Sequence, residues 1–185
     1  MNTVMNEDLA SILLSEETLR EKVTELGAAV SRDYEGKQLL VISVLKGSFI
    51  FMSDLARKIT IPCRFDFMSV SSYGKGTQSS GNVRIVQDLS IDVENRHILV
   101  VEDILDSGKT LSHLLDLLGS RNPASVRLCA LLDKPSRRAV DVRVDYKGFE
   151  IPDEFVVGYG LDYNEKYRNL PYVGILKPEI YTRKA

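Results

Sequence analysis

The sequence predicts an α/β fold built on a doubly wound, mostly parallel sheet. Two observations carry that expectation. Apolar runs of strand length alternate with segments of helical periodicity through short loops, the pattern of strand–helix–strand units. Each unusual polar cluster also follows one of those runs: Lys46-Gly47, Glu102-Asp103, Asp133-Lys134 and Asp162. Ligands of such sheets bind beyond the carboxyl ends of the strands, so the four clusters should meet on one sheet edge.

The elements follow in order. Ser15 is placed as an N-cap, with Glu16 and Glu17 in the first turn, where the helix dipole favours acids. Leu19, Val23, Leu26 and Val30 mark the apolar face of that helix, which fades at Tyr34-Glu35-Gly36. Gln38 to Leu45 reads as a buried strand. Lys46-Gly47-Ser48 then turns the chain into a helix from Phe49 to Lys58, with Pro62 just beyond. Cys63 to Val70 alternates in part, as a strand with one wetter face does. Ser71 to Gly81, SSYGKGTQSSG, builds no apolar face and reads as a mobile loop, at a length where loops are usually functional or disordered. Val83 to Val86 is a short strand. Ile98 to Val101 is a buried one, ending at Glu102 and Asp103. Leu111, Leu114, Leu115 and Leu118 then recur at one-face helical spacing. Ser125 to Leu132 is a further buried strand. After a polar excursion, Phe155 to Gly160 reads as a strand, Asp162 to Arg168 as a tight polar turn or short helix, and Tyr172 to Leu176 as the last strand.

The bulk numbers exclude several classes. At 185 residues, with 44% apolar and 27% charged residues, the chain fits one soluble domain spanning 1–185. A net charge of −2 supplies no field for nucleic acid. The first residues lack a basic segment before a sustained apolar core, so no signal peptide is expected. No run approaches the ~20 apolar residues of a membrane span. Cys63 and Cys129 sit in apolar segments without zinc-type spacing and read as buried thiols, in keeping with a cytoplasmic location.

The chemistry concentrates in HILVVEDILDSGKTLSHLLDLLGS, residues 97–120. A strand, two acids, a small polar turn and a helix follow one another, and free N–H groups at a helix N-terminus bind phosphate. The acids have the wrong sign for phosphate and must hold sugar hydroxyls or a metal ion. Gly108-Lys109-Thr110 resembles the end of a Walker A loop, but that motif needs glycine where the chain has Asp103. A bland reading makes Ser107 or Asp106 an ordinary N-cap. The crowding of hydroxyl, amide and lysine donors into one turn favours phosphate instead. Lys134 before a proline gives even odds of simple solvation, and Phe155 alone reads as core. A phosphoacceptor signalling domain would also use an acidic pair and a lysine, but the phosphate turn and the loop disfavour it. A nucleotide sensor without catalysis on the same fold lacks any added basic segment.

VVEDILDSGKTL resembles the phosphoribosyl-diphosphate binding motif of type I phosphoribosyltransferases. LKGS at 45–48, SSYG at 71–74, LLDKPSRR at 131–138 and IPDEFVVGYGLDYNEKYRNLP at 151–171 narrow the resemblance to the bacterial-type hypoxanthine-guanine branch of that family. It covers nearly the whole of residues 39–176. The resemblance implies transfer of a phosphoribosyl group to N9 of a 6-oxopurine, with Mg²⁺ required. It also implies a small hood formed by terminal segments and assembly as a homodimer or homotetramer. On matching positions, Glu102 and Asp103 would hold the ribose hydroxyls, directly or through metal. Ile104 borders the site, and Asp106, Ser107, Gly108, Lys109 and Thr110 would wrap the 5′-phosphate, with Asp106 also acting as the catalytic acid/base. Lys46 and Gly47 match the pyrophosphate loop, which in the family carries a strained peptide bond. Lys134 would donate to the purine 6-oxo group, Phe155 would stack on the ring and the Val156 carbonyl would accept from its edge. Asp162 matches a third metal-binding acid, Arg168 a pyrophosphate contact, and Ser72 and Tyr73 the loop that closes over the site.

Overall fold

The computed structural model describes residues 6–72 and 83–182. The described elements run β1 (Leu9–Leu14), α1 (Glu16–Asp33), β2 (Leu39–Leu45), α2 (Phe49–Ala56), β3 (Cys63–Ser72), β4 (Val83–Gln87), β5 (His97–Leu105), α3 (Lys109–Gly119) and β6 (Ser125–Asp133). A 3-10 turn at Pro135–Arg137, β7 (Tyr146–Glu150), β8 (Val156–Val157), β9 (Val173–Leu176) and α4 (Pro178–Thr182) complete the order. Six strands form one sheet, β4-β3-β2-β5-β6-β7, parallel at every step except β3–β4. The other three, β1-β9-β8, form a separate antiparallel sheet. This second sheet is the expected hood.

The large sheet is wound on both faces. Along β2, Leu39 and Val41 join the core beneath α1 and α2, while Leu40, Ile42 and Val44 join the core beneath α3. Leu99 and Val101 of β5 likewise face the first core, and Ile98 and Val100 the second. Burial on both faces explains why these strands read as unbroken apolar runs rather than alternating ones. Helix α1 begins as expected, with the Ser15 hydroxyl accepting from the Thr18 N–H and Glu16 and Glu17 in the first turn.

Several expectations need correction. β5 does not stop at Val101 but continues through Leu105, because β6 goes on pairing with it: Glu102 opposite Ala130, Ile104 opposite Leu132 and Leu105 opposite Asp133. The acids therefore lie within a strand whose backbone is locked on both sides of them. The expected strand from Phe155 shortens to Val156–Val157, since the chain then passes through positive φ at Gly158, Tyr159 and Gly160. Cys129 is buried, but Cys63 only partly so. Burial pushes both thiols up, so neither is a ready nucleophile. Among the described residues no helix is long and apolar enough to cross a membrane.

One buried acid holds the connection that leads into β5. The Asp66 carboxylate on β3 accepts from the Phe67, Ser90 and Ile91 N–H groups, each at 2.8 Å, and from the Ser90 hydroxyl at 3.1 Å. Burial acts to raise its pKa, but these hydrogen bonds outweigh burial and hold it below the usual carboxylate range. Its stabilisation is complete above the unfolded-state value near ~4 and is lost as pH falls through the lower folded value. Asp66→Ala is expected to cost about 2 kcal/mol, because three backbone donors lose their acceptor. Urea unfolding at pH 7 and at pH 3 measures this, and the deficit should shrink at the lower pH.

Candidate active site

The expected convergence is present at the carboxyl ends of β2, β5 and β6. Glu102 and Asp103 occupy the centre. The Glu102 Oε2 atom is buried without a hydrogen-bond partner. Burial, and then repulsion from Asp103, raise the Glu102 carboxyl well above its ordinary value. Burial also pushes Asp103 up, to about 6, against hydrogen bonds from the Ile104 and Asp103 N–H groups and the pull of Arg168; Asp162 adds to the rise. The Ile104 N–H reaches Asp103 Oδ1 at 2.8 Å. An adjacent buried pair this reluctant to ionise is relieved by a cation or by hydroxyl donors.

Asp103→Asn should therefore stabilise the protein. The folded carboxyl titrates near 6, above an unfolded value of ~3.9, so its charge costs stability fully above the folded value and not below the unfolded one. A higher Tm for the variant at pH 8, with an advantage that fades towards pH 4, is the expected thermal-scan result. An equal advantage at both pH values would refute the assignment.

The turn after β5 is fixed by backbone. The Ser107 carbonyl accepts from the Ala139 N–H at 2.9 Å and the Val140 N–H at 3.1 Å. Gly108 takes φ 81° as the N-cap of α3, where a Cβ would collide with the Val140 carbonyl. No side chain caps this helix. The bland N-cap reading of Asp106 or Ser107 is thus corrected, and the first N–H groups of α3, from Lys109 and Thr110 onwards, remain available to an anion.

On the other side of the acids, the Leu45–Lys46 peptide is cis. Gly47 lies against the Asp103 carboxylate so closely that a Cβ would overlap Oδ2, and Gly160, at φ 104°, lies equally close to the Gly47 carbonyl. The hood loop is thereby seated on the Lys46-Gly47 turn. Four alternating charges follow: Lys46 to Glu165 at 3.1 Å, Glu165 to Arg168 at 3.3 Å and Arg168 to Asp162 at 2.8 Å. Arg168 also donates to the Gly160 carbonyl at 2.8 Å, while its Nε is buried without a partner. Glu165, absent from the sequence reading, is held below the usual carboxylate range by hydrogen bonds from Lys46 and Arg168.

A cavity of about 370 Å³ opens between the large sheet and the hood, walled by Ile104, Asp106, Lys134, Phe155, Val156 and Leu161. Lys134 is only 8% exposed, and its ammonium donates to the Glu154 carbonyl at 2.6 Å. Asp106 faces Arg137 at 3.3 Å, and Arg137 also approaches Asp153 at 3.6 Å. Phe155 keeps 37% of its surface exposed, which corrects the core reading. A larger cavity, about 510 Å³, lies between α1, α2 and Pro171, where Arg20 pairs with Glu17 and Arg57 with Asp54.

Of the expected residues, Ser72 ends β3, and Tyr73 and the loop to residue 82 lie outside the described residues. Among the described residues no three Asp, Glu, His or Cys side chains are gathered as a metal cage, so Glu102, Asp103 and Asp162 do not form one. The unpartnered Glu102 oxygen and the two raised carboxyls instead suit a hard cation shared with substrate oxygens, the way Mg²⁺ is commonly held.

A mostly parallel sheet with a helix terminus open to an anion, an acid pair suited to a diol or a cation and an adjoining cavity is the layout of a fold that binds nucleotides or sugar phosphates. The phosphoribosyl transferase domain profile matches residues 10–164, and the chain belongs to that family. It is 52% identical over 178 residues to a hypoxanthine-guanine phosphoribosyltransferase of Staphylococcus aureus, covering 96% of this chain and 99% of that protein. A solved hypoxanthine phosphoribosyltransferase from the same organism superposes with a TM-score of 0.96 at 52% identity, covering 99% of this chain and all of that one. The bifunctional protein TilS/HprT of Listeria monocytogenes is 55% identical over 181 residues, which cover 98% of this chain but 28% of the relative. The chain thus spans well under a third of that relative's length.

Proposed function

We propose that the protein transfers the 5-phosphoribosyl group of 5-phosphoribosyl 1-diphosphate to N9 of hypoxanthine or guanine, giving IMP or GMP and diphosphate. The observation that carries the reading is the single wall shared by the two subsites. Asp106 lines the 370 Å³ cavity with Lys134 and Phe155 and is also the first residue of the phosphate turn that leads into α3.

The roles follow from position. The α3 terminus binds the 5′-phosphate, and Glu102 and Asp103 accept from the ribose 2′- and 3′-hydroxyls. Lys134 donates to the purine 6-oxo oxygen, which selects 6-oxopurines over adenine, whose amino group is a donor there. Phe155 and Ile104 bracket the ring. As N9 bonds to C1′ and the C1′–diphosphate bond breaks, the proton on N7 passes to the Asp106 carboxylate. Lys46 and Arg168 stabilise the charge growing on the leaving diphosphate. Mg²⁺, held by Glu102 and Asp103 with Asp162 on the diphosphate side, would add further neutralising charge when bound. We place the enzyme in the cytoplasm as a homodimer or homotetramer.

Purified protein with the diphosphate donor, Mg²⁺ and hypoxanthine or guanine should form IMP or GMP, form nothing from adenine, and lose activity with a chelator. No nucleotide from any 6-oxopurine would end the proposal; persistence in chelator would remove the metal from it.

A further inference from the structure

The base-stacking residue does not stand alone. Phe155 precedes a strand of only two residues and lines the cavity mouth, where an exposed ring can turn between rotamers. Two aromatic neighbours restrain it. Tyr181 on α4 stacks on it with centroids 4.9 Å apart and planes 20° from parallel. Tyr163 meets it edge-on at 5.6 Å and 90°. The Leu176 N–H donates to the Phe155 carbonyl at 2.8 Å, which fixes the backbone but not the ring.

Tyr181 is itself anchored. It packs with Ile180 on the hood core of Leu9, Val157, Tyr167, Leu170 and Leu176. The residue before α4, Lys177, donates its N–H to the Asp8 carbonyl at 3.0 Å and its ammonium to the Glu7 carbonyl at 2.6 Å. The phenol ring thus rests on structure held independently of the cavity, which is what a backing surface requires.

We infer that Tyr181 is a positioning residue for the purine: it backs one face of Phe155 and keeps the other presented to the base. This rests on the phosphoribosyl-transfer reading above. Phe155 keeps 37% of its surface exposed despite the stacked neighbour, and it lines the cavity together with Ile104 and Lys134, where a planar ligand can reach it. An offset aromatic stack also adds affinity beyond the area it covers. The effect falls on the purine alone. Tyr181 lines the same cavity as Lys134 and Asp106 and has no place at the phosphate turn, the acid pair or the Lys46 loop. The C-terminal helix therefore contributes to acceptor recognition, although no motif marks it.

Steady-state kinetics on the full chain test this, varying hypoxanthine and the diphosphate donor separately. Tyr181→Leu, which keeps apolar volume without an aromatic face, should raise KM for hypoxanthine by roughly fivefold, the size of one lost aromatic pair. KM for the donor and kcat should stay close to wild type, and Tyr181→Phe should behave as wild type throughout. An unchanged purine KM in the leucine variant would overturn the assignment. So would a lowered one, which would mean that the phenol occupies the place of the base. Equal rises for both substrates would reduce Tyr181 to general support of the hood and also overturn it. If the wild-type chain makes no nucleotide, the functional reading fails first; if it does, the variants judge Tyr181 alone.

Discussion

Asp106→Asn is expected to lower kcat by about a thousandfold, within the usual range for loss of a positioned proton acceptor, with both KM values nearly unchanged. Asparagine keeps the size of the side chain and can still hydrogen-bond to the purine edge, so the base should bind. It cannot take up the N7 proton as the glycosidic bond forms. The substitution also breaks the 3.3 Å ion pair with Arg137, but both partners are about half exposed. Such a pair contributes at most about 1 kcal/mol. Rapid-quench or steady-state measurement at saturating substrates separates the cases. Near-normal turnover would remove Asp106 as the acceptor of the N7 proton.

The second large effect needs no change to a polar side chain. Gly47→Ala places a Cβ inside the Asp103 carboxylate, and the turn cannot retreat because Gly160 already lies against the Gly47 carbonyl. Asp103 is tied by its own neighbour at Ile104, so either the acid or the Lys46 loop must leave its position. A displacement of this kind between reacting groups costs about a hundredfold or more. The expected result is a collapse of kcat/KM for the diphosphate donor, while direct binding of hypoxanthine, measured by calorimetry, changes little. Activity within a few-fold of wild type would show that the loop and the acid can part without consequence.

What the sequence revealed and what it hid divide along physical lines. β2, β5 and β6 were legible because they are covered on both faces, and α1 because Ser15 and its two glutamates form a complete start signal. β1 and β7 were not. Each buries essentially one residue, Leu9 or Tyr146, and presents the rest to solvent or to partial cover, so neither carries a periodic signal. α4 is five residues long with none buried, too short for helical periodicity to show. The donor side of the site was legible because it is nearly contiguous, from Glu102 to Thr110. The acceptor side is not: its cavity draws on β5, the end of β6, the hood loop and α4. Arg137 meets Asp106, Glu165 meets Lys46 and Tyr181 meets Phe155, each a neighbour distant in the chain. Phe155 misled for a related reason, since an aromatic in an apolar run looks like core until its strand proves to be two residues long.

The division into two sheets has a consequence for how the molecule can vary. The sugar diphosphate is assigned to Lys46, Gly47, Glu102 and Asp103 of the six-stranded sheet together with Asp162 and Arg168 of the hood loop. The ring is assigned to residues of both parts, Ile104, Asp106 and Lys134 on one side and Phe155, Val156 and Tyr181 on the other. Among the described residues no strand pairing joins the two sheets. They share a core, in which Val156, Tyr159, Leu161 and Val173 of the hood pack with Val41, Leu99, Val101 and Leu131 of the large sheet. They also touch at Gly160 on Gly47 and Lys134 on Glu154. The ring is therefore chosen at the seam between the two sheets, where Phe155, Val156 and Tyr181 can change without touching the strands that hold Glu102 and Asp103. Gly160, Asp162 and Arg168 of the same hood cannot change without reaching the donor.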